Sequence, residues 1–349
     1  MKIAFILPSL ANKGPIIMAN DLIGYLLSQD YRCDVYYFDR IEELVFPCKT
    51  TPVSFFEKIN FREYDIIHSH LFRPDLYCAI HKMAIKKAGV KVITTIHTAI
   101  YDDLTYTYGK FISRLIIPVW IASWKRADHV VLLTDFAKSY YSKLKFSAQT
   151  VINNGRDIPP SPLPIPPSDY DLIAELKKKY ILLGTVCAMD KRKGLAQIIP
   201  LLVLNQNYAF LIVGDGDERA FLEAMAIQYG VSSRFKVIGF RENGFRYLSY
   251  LNLFVMPSRS EGMSLALLEA IALKIPIVCA DIPAISHELS DNEVSFFKLD
   301  DEQSLNDACK WALQNSEEIS NNAFVHYANR YTVALMGGNY NELYQLYKK

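Results

Sequence analysis

The 349-residue chain has no CxxC pair and almost no net charge, and its opening apolar run is short. Each shortage excludes something. The opening MKIAFILPSLANKG sets one lysine before an apolar run that stops at Pro8-Ser9. That is too short for a signal-peptide core or a membrane span, so it reads as a first buried strand and a cytoplasmic protein is expected. The six cysteines, Cys33, Cys48, Cys78, Cys187, Cys279 and Cys309, are scattered, several in apolar runs, as reduced core thiols are. A formal charge of +1 argues against bulk electrostatic binding to nucleic acid, which needs a clear basic excess to neutralise phosphates. No clustered acidic pair calls for Mg2+, so neither metal nor cofactor is expected.

What remains is an ordinary globular composition, 51% hydrophobic and 21% charged, in a chain long enough for two domains. Charge is uneven along it. Residues 1–155 hold 19 Lys and Arg against 14 Asp and Glu. That mild excess suits a solvated surface, or one facing an anionic membrane or acceptor.

Short apolar runs alternate with helix-period segments throughout. Strands are predicted at Lys2–Leu7, Cys33–Phe38, Asp65–His68, Lys91–Ile96, His129–Leu133 and Thr150–Ile152, with helical patterns at Ile17–Ser28 and Pro74–Lys87. The second half repeats the alternation. Its strands are predicted at Ile181–Cys187, Phe210–Val213, Lys236–Ile238, Leu251–Met256 and Pro276–Cys279, and its helices at Leu195–Leu204, Asp217–Tyr229 and Leu265–Leu273. Near-continuous apolar strands separated by helices indicate α/β domains whose parallel sheets are covered on both faces.

Between the halves, six prolines crowd residues 159–167, a density that excludes helix and central strand and makes an extended spacer. The expected division is a first domain over 1–157, a linker over 158–170 and a second domain over 171–330. Ligands of open parallel sheets sit beyond the carboxyl ends of the strands, so the chemistry is expected in a cleft between the two domains. Residues 105–126 (TYTYGKFISRLIIPVWIASWKR) mix aromatics, branched aliphatics and four cations. They fit a membrane-surface helix, and equally a core helix kinked at Pro118.

The most informative stretch runs from Pro257 to Ala270 (PSRSEGMSLALLEA). A strand ends, a small polar loop follows, and Ser264 is a natural N-cap for the helix beyond it. Free N–H groups and the dipole at such a start attract an anion such as a diphosphate. Glu261 lies in the loop and Glu269 just over one turn into the helix. As an isolated pair they would be a surface acid and a dipole partner.

In context, the stretch resembles the E-x7-E signature of retaining GT-B glycosyltransferases, family 4 in particular. Further segments carry the resemblance in order: Leu183-Gly184-Thr185-Val186 with Lys193-Gly194, Leu211 to Gly216, Val237 to Phe240, and Ile275 to Val278 with Glu288. Looser matches in the first half are Gly14, Asp65 to His70, Thr95-Ile96-His97, and Asn153 to Asp157.

The resemblance implies a GT-B fold of two Rossmann-like domains. The first would bind acceptor and the second nucleotide sugar, with a helix over about 331–349 returning to the first. It implies transfer of a sugar from a nucleotide-diphosphate sugar, UDP foremost, to a bacterial surface-glycan or lipid-linked acceptor. Retention of configuration and independence of metal come with it. The catalytic set it implies is His97, Glu261 and Lys193. Glu269 would bind ribose and Glu261 the donor sugar, while backbone amides of Met263, Ser264 and Leu265 cradle the diphosphate beside Lys193 and Arg192. Phe240 and Arg241 would border the base, and Gly14 would let the first loop approach the phosphates.

Two positions depart from the family pattern. Cys187-Ala188-Met189 stands where the family has Gly-Arg-Leu, and Ile275 replaces a glycine. Losing a charged phosphate contact costs about 1.5–3 kcal/mol, to which Lys191 or Arg192 could respond. A protein without transferase activity, serving as a partner subunit in glycan assembly, is the alternative, and a nucleotide-sugar epimerase a more distant one. His68 and His70 share a strand face but lack a third ligand for zinc.

Overall fold

The structure, a computed structural model, describes residues 1–159 and 164–348. It divides into two compact units, Met1–Arg156 together with Arg330–Lys349, and Asp157–Asn329.

The first unit is built on seven parallel strands: β1 (Lys2–Leu7), β2 (Arg32–Tyr37), β3 (Lys49–Pro52), β4 (Ile66–His70), β5 (Lys91–Ile96), β6 (His129–Leu132) and β7 (Gln149–Val151), in the order β3-β2-β1-β4-β5-β6-β7. The second has six: β8 (Ile181–Val186), β9 (Tyr208–Val213), β10 (Phe235–Val237), β11 (Leu253–Met256), β12 (Ile277–Ala280) and β13 (Ser295–Phe297), in the order β10-β9-β8-β11-β12-β13. Every neighbouring pair is parallel. Both sheets wind outward from a first strand and then return to its other side. Strand order therefore reverses between β1 and β4 and between β8 and β11, where the loops beyond the strands part to admit ligands.

The apolar runs become central strands because helices cover both faces: Ile3 through Leu7 are without exposure. Two edge strands were not predicted. β3 is Lys-Thr-Thr-Pro and β13 is Ser-Phe-Phe, too short and too polar to signal alone; each is a strand because a neighbour pairs with it.

The helices used below are α1 (Gly14–Ser28), α2 (Phe72–Ile80), α3 (Ile100–Trp124), α4 (Pro167–Lys179), α5 (Leu265–Ala272) and α6 (Val333–Gln345). Three expectations need correction. The predicted helix Pro74–Lys87 is two helices, α2 and Lys82–Lys87, interrupted at His81. The linker expected over 158–170, whose residues 160–163 lie outside the described ones, ends early, because Pro167 opens α4. Proline suits that first position, where its missing N–H would have no intrahelical acceptor. The break in α3 lies at Gly109 (φ 76°, ψ 167°) and not at Pro118. A glycine reaches positive φ without steric cost.

α3 is held to the first unit through one carboxylate. Asp75, on α2, accepts from Ser69 Oγ (2.7 Å), Thr94 Oγ1 (2.5 Å), Trp120 Nε1 (2.8 Å) and Trp124 Nε1 (2.8 Å). Burial pushes its carboxyl up to about 6, and the four donors oppose that rise. So β4, β5, α2 and α3 meet at one buried acceptor.

The C-terminal helix belongs to the first unit and is tied to its sheet by tyrosines. Tyr344 bonds His68 Nδ1 (2.7 Å), Tyr340 bonds Thr95 Oγ1 (2.8 Å), and Tyr347, just past α6, bonds His129 Nδ1 (2.9 Å). Burial keeps His68 neutral, lowering it to about 3, so its ring serves as a hydrogen-bonding bracket.

Candidate active site

The chemistry-bearing residues of the second unit lie beyond the carboxyl ends of β8 and β11. After β8 the chain makes a tight turn over Lys191–Lys193, capped by Asp190, whose Oδ1 accepts from the Lys193 N–H at 3.2 Å. Gly194 then takes φ +61°, and a Cβ there would stand 2.2 Å from the Pro257 carbonyl. Arg259 N–H donates to the Arg192 carbonyl (2.8 Å), and Gln197 Nε2 donates to the Pro257 carbonyl (2.9 Å). The first contact joins the two loops backbone to backbone, and the second adds a side-chain tie.

That junction brings the charged groups together. Lys193 Nζ lies 2.6 Å from Glu261 Oε1 and Arg192 Nη1 lies 3.3 Å from Oε2. Ser258 Oγ donates to Oε1 at 2.6 Å. Glu261 is only 5% exposed. Burial raises its carboxyl, yet Lys193, Arg192 and Ser258 together outweigh burial, and the net displacement is downward. A buried carboxylate with two cations and a hydroxyl stays ionised and held in place.

Ser264 caps α5, its Oγ accepting from Leu267 N–H at 3.4 Å. The first N–H groups of such a helix lack intrahelical acceptors, so the capped end is suited to an anion. Lys193 and Ser264 line one recess together with Thr185, Cys187, Pro257 and Ser258. Met263 and Leu265 flank the cap, both mostly buried, and Glu269 sits in the second turn of α5, 7% exposed.

The 187–189 loop packs against two glycines. A Cβ on Gly214 would lie 1.8 Å from the Cys187 carbonyl oxygen, and one on Gly216 would lie 2.5 Å from that of Met189. The backbone there closes through Cys187 N–H to Val213 O (3.2 Å) and Met189 N–H to Asp215 O (2.9 Å). Gly214→Ala is therefore expected to displace the 187–189 loop and to destabilise the protein by about 1–3 kcal/mol, the usual range for overpacking. Chemical denaturation reads this, and an unchanged midpoint would contradict the close approach.

The remaining sequence-derived candidates are placed differently. Phe240 follows β10 and is half exposed. Arg241 is committed to α4: its Nε and Nη2 reach Asp169 at 2.8 and 3.1 Å, where Tyr247 also donates. Arg192 shares Glu261 with Lys193, and Ala188 is exposed with Lys191 exposed nearby. In the first unit, Gly14 opens α1 and takes no positive φ, so its conformation does not itself require glycine. His97 follows β5, half-buried, with Nε2 2.9 Å from His70 Nδ1. Burial pushes it down to about 3, so it is neutral near pH 7. Sequence reasoning passed over Ser258, although it lies three residues before Glu261 on the same loop, and Asp169, for which no local signal exists.

Two family models match the chain, one for each unit. Residues 21–158 match Glycosyltransferase Family 4 and residues 171–330 match Glycosyl transferases group 1. The O-antigen biosynthesis glycosyltransferase WclY of Escherichia coli is 29% identical over 99% of this chain and 98% of its own length. Among solved structures, Anabaena HepE in complex with UDP and glucose superposes with a TM-score of 0.80 at 18% identity, covering 99% of both chains. WaaG, a glycosyltransferase involved in lipopolysaccharide biosynthesis, gives a TM-score of 0.72 at 19% identity over 98% of this chain and 99% of its own.

The two sheets and these superpositions define the GT-B class of fold. Both units match glycosyltransferase models, and the chain is similar to an enzyme of bacterial O-antigen biosynthesis.

Proposed function

We propose that the protein transfers a sugar from a nucleotide-diphosphate sugar, a UDP-sugar foremost, to a hydroxyl of a bacterial surface-glycan or lipid-linked acceptor, with retention of configuration and without a metal. The observation that carries this is the buried Glu261 held by Lys193, Arg192 and Ser258 beside the capped start of α5. The name of WclY supports an O-antigen acceptor, and the UDP complex of HepE supports uridine. In this reading the second unit binds donor and the first binds acceptor.

The anomeric carbon loses its bond to the diphosphate oxygen and gains one to the acceptor oxygen on the same face. The acceptor proton passes to the departing phosphate. Lys193 and the N–H groups of Met263, Ser264 and Leu265 neutralise the charge that develops on the leaving group, a role that preorganised donors fill without a metal. Glu269 accepts from the ribose hydroxyls, Glu261 orients the donor sugar, His97 contacts that sugar, and Phe240 borders the base.

Residues 105–126 support contact with the cytoplasmic face of the membrane. Phe111 (78% exposed), Leu115 (63%) and Tyr108 stand on α3 near Lys110 and Arg114, the mixture that favours an anionic lipid surface. No helix among the described residues is long and apolar enough to cross a membrane.

Thermal unfolding with UDP, GDP and ADP tests the donor reading. A nucleotide at about 100 times its dissociation constant stabilises by roughly 2.7 kcal/mol. For a unit of this size that raises the midpoint on the order of 5–10 °C. UDP is expected to give the largest shift. Exposed Ala188 supports a second reading, a GT-B partner subunit without turnover, and no shift with any nucleotide would favour it.

A further inference from the structure

His70 is the last residue of β4 and has no exposed surface. Its ring packs with those of His68, 4.2 Å away, and Phe5, stacked at 6.1 Å. Its Nδ1 meets His97 Nε2 at 2.9 Å, while its own Nε2, fully buried, has no hydrogen-bond partner among the described residues. His68, the other buried imidazole beside it, is satisfied on both nitrogens by Tyr344 and Thr95. Among the described residues, the bond to His97 is therefore the one hydrogen bond that the His70 ring makes.

Two neutral imidazoles joined Nδ1 to Nε2 share one proton in the bond and hold one more outside it. Burial drives both pKa values down, so neither ring carries the extra proton of an imidazolium near neutral pH. If His97 donates, the proton of His70 must sit on its buried Nε2 with no acceptor. If His70 donates, its Nε2 is a bare lone pair and the proton of His97 is displaced to Nδ1. A buried N–H without an acceptor is the rarer defect in native interiors, so the second arrangement is favoured.

We propose that His70 is a positioning residue for the transferase reaction, fixing His97 as a neutral Nδ1–H tautomer that donates a hydrogen bond to an oxygen of the substrate sugar. This rests on the functional reading above. It gives His97 one defined task, binding as a donor, and it denies His97 the role of general base. The β4–β5 register, which sets His70 opposite Thr95, places the two rings within reach of each other.

Two measurements test the proposal. Two-bond proton–nitrogen NMR correlations of 15N-labelled protein, with His97 assigned through His97→Gln among the seven histidines, should show its proton on Nδ1. In kinetics, His70→Phe keeps an aromatic ring without the donor, while His70→Asn keeps an amide near the position of Nδ1. His70→Phe is expected to lower kcat/KM for the sugar nucleotide about 3- to 10-fold, the worth of one neutral hydrogen bond. The Kd for free nucleoside diphosphate, which lacks the transferred sugar, should stay unchanged, and His70→Asn should recover most of the loss.

A His97 proton on Nε2 would overturn the proposal, as would native kinetics in His70→Phe. A parallel loss of nucleoside diphosphate affinity would also overturn it, since that would mark a general structural defect. If His70→Phe does not fold, the tautomer and the His70→Asn kinetics decide. If the native protein turns over no nucleotide sugar, the functional reading falls, while the NMR result alone still decides the tautomer.

Discussion

Lys193→Ala is expected to lower turnover by about 10²–10³-fold, the range seen when one preorganised charge-stabilising group is removed, and Glu269→Ala is expected to lower it strongly as well. The two losses differ in kind. Lys193 would face the leaving diphosphate, and it also holds Glu261 at 2.6 Å. Removing it leaves a buried carboxylate opposed only by Arg192 and Ser258, so burial should move the Glu261 pKa upward and stability should fall with activity. Lys193→Ala combined with Glu261→Gln removes the uncompensated charge. The double variant is therefore expected to regain stability without regaining turnover. Glu269→Ala should instead weaken nucleotide binding through lost ribose contacts, which nucleotide titration would read. Near-native rates in both single variants would reject the site assignment.

Asp75→Ala should be the most damaging single substitution in the first unit. It strands four buried donors, and each orphaned polar group costs about 1–3 kcal/mol. Allowing for relaxation, a loss of at least about 3 kcal/mol is expected. That lowers the midpoint by roughly 6–12 °C for a unit of this size. Asp75→Asn makes the prediction sharper. Its carbonyl can face the two indole N–H groups, which only donate, while its amide faces Ser69 and Thr94, whose hydroxyls can turn to accept. The asparagine variant should then be far milder than the alanine variant. Equal effects in thermal unfolding would show that the carboxylate is not the hub the geometry indicates.

Those two sites differ in how much of them a sequence can display. Glu261, Ser264 and Glu269 lie within one strand–loop–helix segment, so the resemblance that implies their roles can be read from that segment alone. Lys193 is distant in sequence, yet it sits in a turn after a predicted strand, and the resemblance located it. Asp75 offers no such signal, because its donors come from β4, β5 and α3, and an acid in a helix ordinarily reads as solvated. Arg241 likewise has a partner that no local signal shows: its guanidinium is held by Asp169, 72 residues earlier in the chain.

The central strands and the α5 N-terminus followed from the sequence by itself, since apolar runs and N-caps act over a few residues. Pairing alone made strands of the polar β3 and the short β13. The tertiary structure also decided that Gly109 breaks α3, that His70 faces His97, and that tyrosines of the C-terminal segment bind His68, Thr95 and His129 of the first sheet. Hydrogen bonds across long loops have no local period, so those partners become visible only once the chain has folded.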